Sequence, residues 1–148
     1  MDSEDIKSYK YKIYHAFNYH FQNVAKAFWS KYKEGNAYNT ITIADIKQLD
    51  ENRFVFVRRM EGRGKVEYEK IVYDRMQPKI IADLYLKNDK TKMRDICERC
   101  IYTWNSLKNN VDYNLIVVKE TWSKFLRVKL SEWGVGRMEQ LLKSSVSV

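Results

Sequence analysis

The 148-residue chain contains little glycine, proline or cysteine. Its 5 Gly and 1 Pro are far below the usual shares of about 7% and about 5%. This scarcity excludes a collagen-like repeat, a proline-rich linker and a glycine-rich phosphate-binding loop. The two cysteines, Cys97 and Cys100, form one Cys-Glu-Arg-Cys motif, and only two histidines, His15 and His20, accompany them. We therefore predict no zinc site, no other cofactor and no dependence on a disulfide.

Long apolar runs and catalytic motifs are also missing. No segment approaches the roughly 18 to 20 apolar residues of a membrane-spanning helix. The first five residues, MDSED, are acidic where a secretory or transit signal would be basic, so we expect no cleavable targeting segment. There is no Gly-x-Ser-x-Gly, His-Glu-x-x-His or calcium-loop motif, and we predict that the protein is not an enzyme.

Aromatic and basic residues, in contrast, are abundant. With 4 Trp, 11 Tyr and 6 Phe and 45% hydrophobic residues, the chain has enough apolar surface for one compact domain over residues 1–148. The formal net charge is +8, which favours anionic membranes or nucleic acid as partners. Because the basic residues are spread along the whole chain and no RNP-type or zinc-finger motif is present, nucleic acid is the weaker expectation.

The spacing of the apolar residues predicts a strand followed by a helix near the start of the chain. Tyr9 begins an alternation of apolar residues and lysines, typical of a half-buried strand, which we expect to end near Phe17. The next element is a predicted helix, with Asn18 as its N-cap, and it should end by Gly35. This element has the helical spacing i, i+3, i+4, i+7, i+11 in Phe21, Val24, Ala25, Phe28 and Tyr32.

Six more strands and a second helix complete the predicted order. Alternating residues on both sides of residues 50–52 indicate a hairpin. Further strands are expected at residues 65–74, 79–87, 94–104 and 111–122, with short polar connections that favour antiparallel neighbours. The prediction is an α+β domain: a seven-stranded curved antiparallel sheet, with a helix after strand one and a C-terminal helix. The space between sheet and terminal helix can be a packed core or an apolar cavity.

The terminal helix is expected from about Ser123 onward. Its predicted apolar side consists of Leu130, Trp133, Met138, Leu141 and Leu142. Gly134 and Gly136 each weaken a helix by roughly 1 kcal/mol relative to alanine. We therefore expect that close packing against another element is needed to hold this helix.

Four segments resemble, in the same order, those of a known family of lipid carriers. They are VAKAFWSKY at 24–32, FVFVRRM at 54–60, CERCIY at 97–102 followed by KETW at 119–122, and KLSEW at 129–133 with Arg137. Together they resemble the PRELI-like (slowmo) family of mitochondrial intermembrane-space phospholipid transfer proteins. The resemblance extends from about residue 14 to residue 146, over most of the chain.

This resemblance implies a PRELI domain with a START-like, helix-grip fold around a lipid cavity. It also implies a carrier that moves one anionic glycerophospholipid, phosphatidic acid or phosphatidylserine, between membranes in the mitochondrial intermembrane space, without a metal or redox cofactor. The implied partners are a small twin-cysteine helical protein and an anionic membrane surface. The chain departs from the family at residues 32–36, YKEGN in place of Tyr-Pro-Asn-Pro, and has only five residues between Met60 and Val66, where the family carries a helical lid. We expect a divergent or minimal member.

Four basic residues and one tryptophan are the predicted ligand-binding residues. Lys31 follows the apolar stripe of the first helix, while Lys129 and Arg137 flank Trp133, about 80° apart around the last helix. The resemblance associates these three cations with headgroup binding and cavity charge. Arg59, at the end of an apolar strand, is the fourth candidate. The alternative is that all four are surface cations whose stems lie along apolar surface.

The sequence is also compatible with two other classes of function. One is an interaction module that transfers nothing because its cavity is filled by Trp and Phe side chains. The other is a basic domain that binds RNA or a membrane surface.

Overall fold

The computed structural model describes residues 6–31, 40–62, 65–85 and 96–146, and within them seven strands form one curved antiparallel sheet with two helices. The elements are β1 Tyr11–Phe17, α1 Phe21–Ser30, β2 Thr40–Gln48, β3 Arg53–Gly62, β4 Lys65–Asp74, β5 Lys79–Tyr85, β6 Ile96–Asn105, β7 Asn110–Val117 and α2 Lys124–Val146. The strand order is β1-β7-β6-β5-β4-β3-β2. The predicted α+β fold is confirmed.

The chain crosses the sheet once, between β1 and β2. Strands β2 to β7 follow one another as antiparallel neighbours, whereas β1 lies beside β7 at the opposite edge from β2. Helix α1 lies between β1 and β2 in the chain and packs against α2 and β7, while α2 packs against β1. The two helices therefore share one face of the sheet, the concave face, and the core lies between that face and the helices.

The core is aromatic and aliphatic, as the composition predicts. Phe28 of α1 is fully buried, and its ring meets Tyr102 of β6 edge-on at a centroid distance of 5.3 Å. Alternate residues of each strand point inward. The largest fully buried side chains are those of Tyr102, Phe17, Phe28, Met60, Ile71, Ile80, Leu115, Met138, Leu142, Val24, Val111 and Val117.

The start of α1 and the end of β7 differ from the sequence prediction. The N-cap of α1 is His20, not Asn18: its backbone is extended, and its Nδ1 accepts a hydrogen bond from the Gln22 amide at 3.3 Å. Helix α1 ends at Ser30, and Gly35 lies outside the described residues. Strand β7 ends at Val117 rather than at 122, because the next two amides donate to the Cys97 carbonyl at 2.9 and 3.1 Å and turn the chain. Residues 86–87 and 94–95 of the predicted strands also lie outside the described ranges.

The prediction of one apolar side for α2 is wrong. Met138 and Leu142 are buried, but Leu130 is 42% and Trp133 is 51% exposed. At about 100° per residue, the five residues from Trp133 to Met138 turn the side chain by about 140°. The buried side of α2 is instead formed by Arg127, Ser131, Met138 and Leu142.

Gly134 and Gly136 of α2 are not in close contact with another element. A Cβ placed at Gly134 or at Gly136 would meet no atom within 4 Å. Both positions therefore have room for a side chain.

The two cysteines, Cys97 and Cys100, form no disulfide. They are three residues apart in the extended strand β6, about 10 Å along the chain, which is too far for a disulfide. Within the described ranges, no three His, Cys, Asp or Glu side chains are grouped in a way that could hold a metal ion. Neither described helix combines the length and the apolar character needed to cross a bilayer.

Candidate ligand-binding site

A row of charged residues crosses the concave face. The strand pairing aligns Ile43, Arg58, Glu69, Leu84, Glu98 and Val117 from β2 to β7. Arg127 of α2 and Lys31, the C-cap residue of α1, join the three charged members of this row. We call Lys31, Arg58, Glu69, Glu98 and Arg127 the inner charged cluster.

The cluster borders the apolar core. The next row toward the β4–β5 turn contains Phe56, Ile71, Ala82, Cys100 and Leu115. The row after it contains Phe54, Tyr73, Ile80, Tyr102 and Tyr113. One end of the concave face is therefore charged, and the adjoining part is apolar and belongs to the packed core.

Arg58 and Glu69 form a buried ion pair between β3 and β4. The Arg58 Nε donates to Glu69 Oε1 at 3.0 Å, and an Nη2 hydrogen bond joins the same two residues. The guanidinium also lies over the rings of Phe28 and Trp29, at 5.3 and 5.6 Å from their centroids. Removal of either partner would take away the buried counter-charge of the other.

Arg127 connects α2 to the sheet. Its Nη2 donates to Glu98 Oε1 at 2.8 Å, and its Nε bonds to the other carboxylate oxygen. Burial opposes the charge on Arg127, but the hydrogen bonds and the attraction of Glu98 outweigh it and raise the pKa. This ion pair fixes the first turns of α2 over β6.

Lys31 directs its ammonium group to the same region. The Nζ lies 4.9 Å from the centroid of the Phe28 ring. Burial is the largest single influence and lowers the pKa of Lys31, yet attraction to Tyr102, Cys100 and Glu69 outweighs it, so the pKa is raised. At neutral pH the phenol and the thiol are uncharged, and Glu69 is the negative group among these neighbours. Lys31 is therefore a cation on the concave side.

The polar groups beside Lys31 are neutral. The Cys100 Sγ and the Tyr113 hydroxyl are 3.6 Å apart. Burial raises the pKa of both groups, and Lys31 only partly opposes that rise at Cys100. The cluster thus has three positive side chains, Lys31, Arg58 and Arg127, and two negative ones, Glu69 and Glu98.

The other predicted site residues lie elsewhere. Arg59 follows Arg58 in β3 and so points to the convex face, where it pairs with Glu61 at 2.7 Å. Lys129 and Trp133 are exposed on α2, and Arg137 is half-buried. The structure therefore brings none of these four residues to Lys31.

Sequence reasoning missed Arg58, Glu69, Glu98 and Arg127. Arg58 and Arg59 follow a strand that is apolar on both faces, FVFV, so alternation alone does not tell which arginine points inward. Phe54, Phe56 and Arg58 are two residues apart and therefore lie on the same face of the strand. The position of the two aromatic residues is the signal that would have identified Arg58 as the inward-facing arginine.

Comparison with known proteins finds similarity among solved structures only. No protein-family model and no curated protein matches the chain. Protein TTHA0849 from Thermus thermophilus is similar with a TM-score of 0.49 and 9% identity, over 92% of this chain and 98% of that chain. Protein Ms6760 from Mycobacterium smegmatis has a TM-score of 0.43 and 12% identity, over 93% of this chain and 90% of that chain. Neither likeness bears on function.

Proposed function

We propose that the protein binds one anionic glycerophospholipid, phosphatidic acid or phosphatidylserine, on its concave face and carries it between membranes. The observation that carries this proposal is the inner charged cluster, whose cations lie on the same concave face as the half-exposed Ile43 and Ile46. A phosphate group placed next to Lys31 would accept charge-assisted hydrogen bonds.

Room for the acyl chains is offered at the β2–β3 end of the concave face. The strand pairing places Ile43 and Ile46 on the same face as Arg58 and Phe56, and both isoleucines are about half exposed. The helices pack toward the other edge, against β7 and β1. An acyl chain along β2 and β3 would cover this apolar surface.

The two parts of the ligand would contribute differently. Burial of each methylene group is worth roughly 0.8 kcal/mol, so ten buried methylenes exceed a single hydrogen bond to a charged group, worth about 1.5 to 3 kcal/mol. We therefore expect the acyl chains to supply most of the affinity. The cations would supply the preference for anionic headgroups.

The resemblance to the PRELI-like family supports the same proposal. It adds two parts for which the geometry offers no argument: a location in the mitochondrial intermembrane space and a small twin-cysteine helical partner. It also favours a carrier over an enzyme.

Lipid loading tests the proposal directly. The protein would be mixed with phosphatidic acid, phosphatidylserine or phosphatidylcholine, and bound lipid would be counted by native mass spectrometry. Transfer of labelled lipid between vesicles would be measured in parallel. We expect one anionic lipid per chain and at least a several-fold preference over phosphatidylcholine.

A matched pair of variants on α1 assigns the cation. Lys31→Met should reduce anionic loading several-fold, whereas Lys26→Met, at an exposed position of the same helix, should load like the wild type. A protein that stays lipid-free and transfers neither lipid would contradict the carrier function and favour an interaction module.

A further inference from the structure

Helix α2 has a second apolar surface that faces away from the core. Leu126, Leu130 and Trp133 are spaced i, i+4 and i+7 and so form one stripe along the helix. Trp122 and Phe125 extend it into the segment before the helix and into the first turn. We call these five residues the outer apolar face.

This surface is unusual for the chain. Eleven large apolar side chains are exposed in the described ranges, and five of them belong to the outer apolar face, within residues 122–133. Phe125 is 75% exposed. A concentrated aromatic patch of this kind marks an interaction surface, because single exposed apolar residues are normally scattered.

The charge around the patch argues for an anionic partner. Lys129 and Arg137 lie beside the outer apolar face on α2, where Glu132 is the acidic residue among them. The whole chain carries +8. A second copy of the chain would bring the same positive charge, whereas a bilayer with anionic lipids attracts it.

The residue types identify the bilayer among anionic partners. Tryptophan is enriched at the boundary between headgroups and acyl chains, and interfacial helices combine Trp, Phe and Leu on one side with Lys and Arg beside them. We propose that the outer apolar face docks on an anionic membrane surface, with α2 lying in the plane of the interface; this rests on the proposed lipid-carrying function.

Docking in this orientation would bring the lipid site to the membrane. Arg127 lies on the same part of α2, about 100° around the helix from Leu126, and pairs with Glu98 of the inner charged cluster. The Arg127–Glu98 end of the cluster is then within about one helix diameter, roughly 10 Å, of the outer apolar face. A lipid would move from the bilayer to the concave face by passing α2.

Vesicle binding of matched variants tests the docking surface. Leu130→Glu and Phe125→Glu introduce a charge into the outer apolar face, while Leu107→Glu introduces it at an exposed position of the β6–β7 turn. Co-sedimentation with phosphatidylcholine vesicles, with and without phosphatidic acid, is measured for each full-length protein. Melting temperatures and circular dichroism establish that each variant is folded.

The expected result is at least a tenfold weaker binding to anionic vesicles for the first two variants and unchanged binding for Leu107→Glu. Wild-type binding should be much weaker to vesicles of phosphatidylcholine alone. Unchanged binding of Leu130→Glu and Phe125→Glu, or equal binding to neutral vesicles, would overturn the proposal. If the wild type dimerises and Leu130→Glu abolishes the dimer, the outer apolar face belongs to a second copy of the chain. That result would also overturn the proposal.

A second measurement separates this proposal from the carrier function. Loading with a short-chain, monomeric phosphatidic acid requires no membrane, so Leu130→Glu should load as the wild type does while its vesicle transfer falls. A wild type that binds vesicles through this face but never loads lipid would refute the carrier function and leave the docking surface in place.

Discussion

Asp83 and Arg99 form a buried ion pair on the convex face of the sheet, the face opposite to both helices. The Arg99 Nε and Nη2 donate to the two carboxylate oxygens of Asp83 at 2.6 and 2.9 Å. Both side chains are about 5% exposed. The pair joins β5 to β6 directly behind Ala82 and Cys100 of the core, so each charge has the other as a buried counter-charge.

We predict that Asp83→Ala destabilises the fold by about 3 to 5 kcal/mol, because it removes the buried counter-charge of Arg99. The exposed pair Arg59–Glu61 is the control, and Glu61→Ala should cost no more than about 1 kcal/mol. Urea denaturation measures both free energies of unfolding. Replacement of both Asp83 and Arg99 by leucine should cost much less than Asp83→Ala alone, and an equal loss would refute the explanation.

Phe28 provides a second test of the core. Its ring is fully buried and contacts Trp29 and Tyr102. Phe28→Ala should cost roughly 3 to 5 kcal/mol, as large-to-small core substitutions do. Phe125→Ala, at a 75% exposed ring, should stay within about 0.5 kcal/mol of the wild type. Similar unfolding free energies for the two variants would show that Phe28 does not support the core.

The fold was predictable because its signals are local. Alternation in β1 and the helical stripe of α1 follow directly from the period of each element. The β4 boundaries agree with the predicted residues 65–74. The end of β7 was not predictable, because the hydrogen bonds to the Cys97 carbonyl that turn the chain come from a distant strand.

The site was less predictable than the fold. Only Lys31, of the five predicted residues, lies in the inner charged cluster. The cluster depends on which strands are neighbours, and short-range spacing does not contain that information: Glu98 and Arg127 are 29 residues apart. On α2 the apolar residues occupy two sides of the helix, so a count of apolar positions does not reveal which side meets the core.

The hydrogen-bonded pair Tyr14–Asp112 predicts that the stability of the fold depends on pH in the acidic range. The Tyr14 hydroxyl donates to Asp112 Oδ1 at 2.5 Å, and this bond, followed by one from Asn105, lowers the pKa of Asp112 below its ordinary value of 3.8. The stabilisation of the folded state by the ionised Asp112 is therefore complete above the pKa that Asp112 has in the unfolded chain. It is lost as the pH falls through the lower pKa that Asp112 has in the folded protein. Tyr14→Phe should move the pKa of Asp112 upward, which NMR titration of the carboxyl carbon measures. A pKa that does not move would show that this hydrogen bond is not formed.

Lys129 and Arg137 should affect lipid handling but not stability. Both lie outside the inner charged cluster, and surface cations contribute about 0 to 1 kcal/mol to folding. The double variant Lys129→Ala with Arg137→Ala should keep the melting temperature within a few degrees. It should reduce vesicle transfer at least several-fold, and more for anionic than for zwitterionic lipid, while Lys129→Arg with Arg137→Lys retains the charge and has a milder effect. Unchanged transfer by the alanine variant would mean that these cations are solvated surface groups.

Gly134 and Gly136 lie between the exposed first part of α2 and its buried second part, and neither is in close contact with another element. In a helix interior glycine is less favourable than alanine by up to about 1 kcal/mol, because it loses more backbone freedom on folding. Gly134→Ala and Gly136→Ala should therefore each raise the free energy of unfolding by up to about 1 kcal/mol, measured by urea denaturation. Ala27→Gly in the buried face of α1 is the reverse control and should lower it. A destabilising effect of either alanine variant would mean that α2 needs a bend at this point, since the space around both Cβ positions is open.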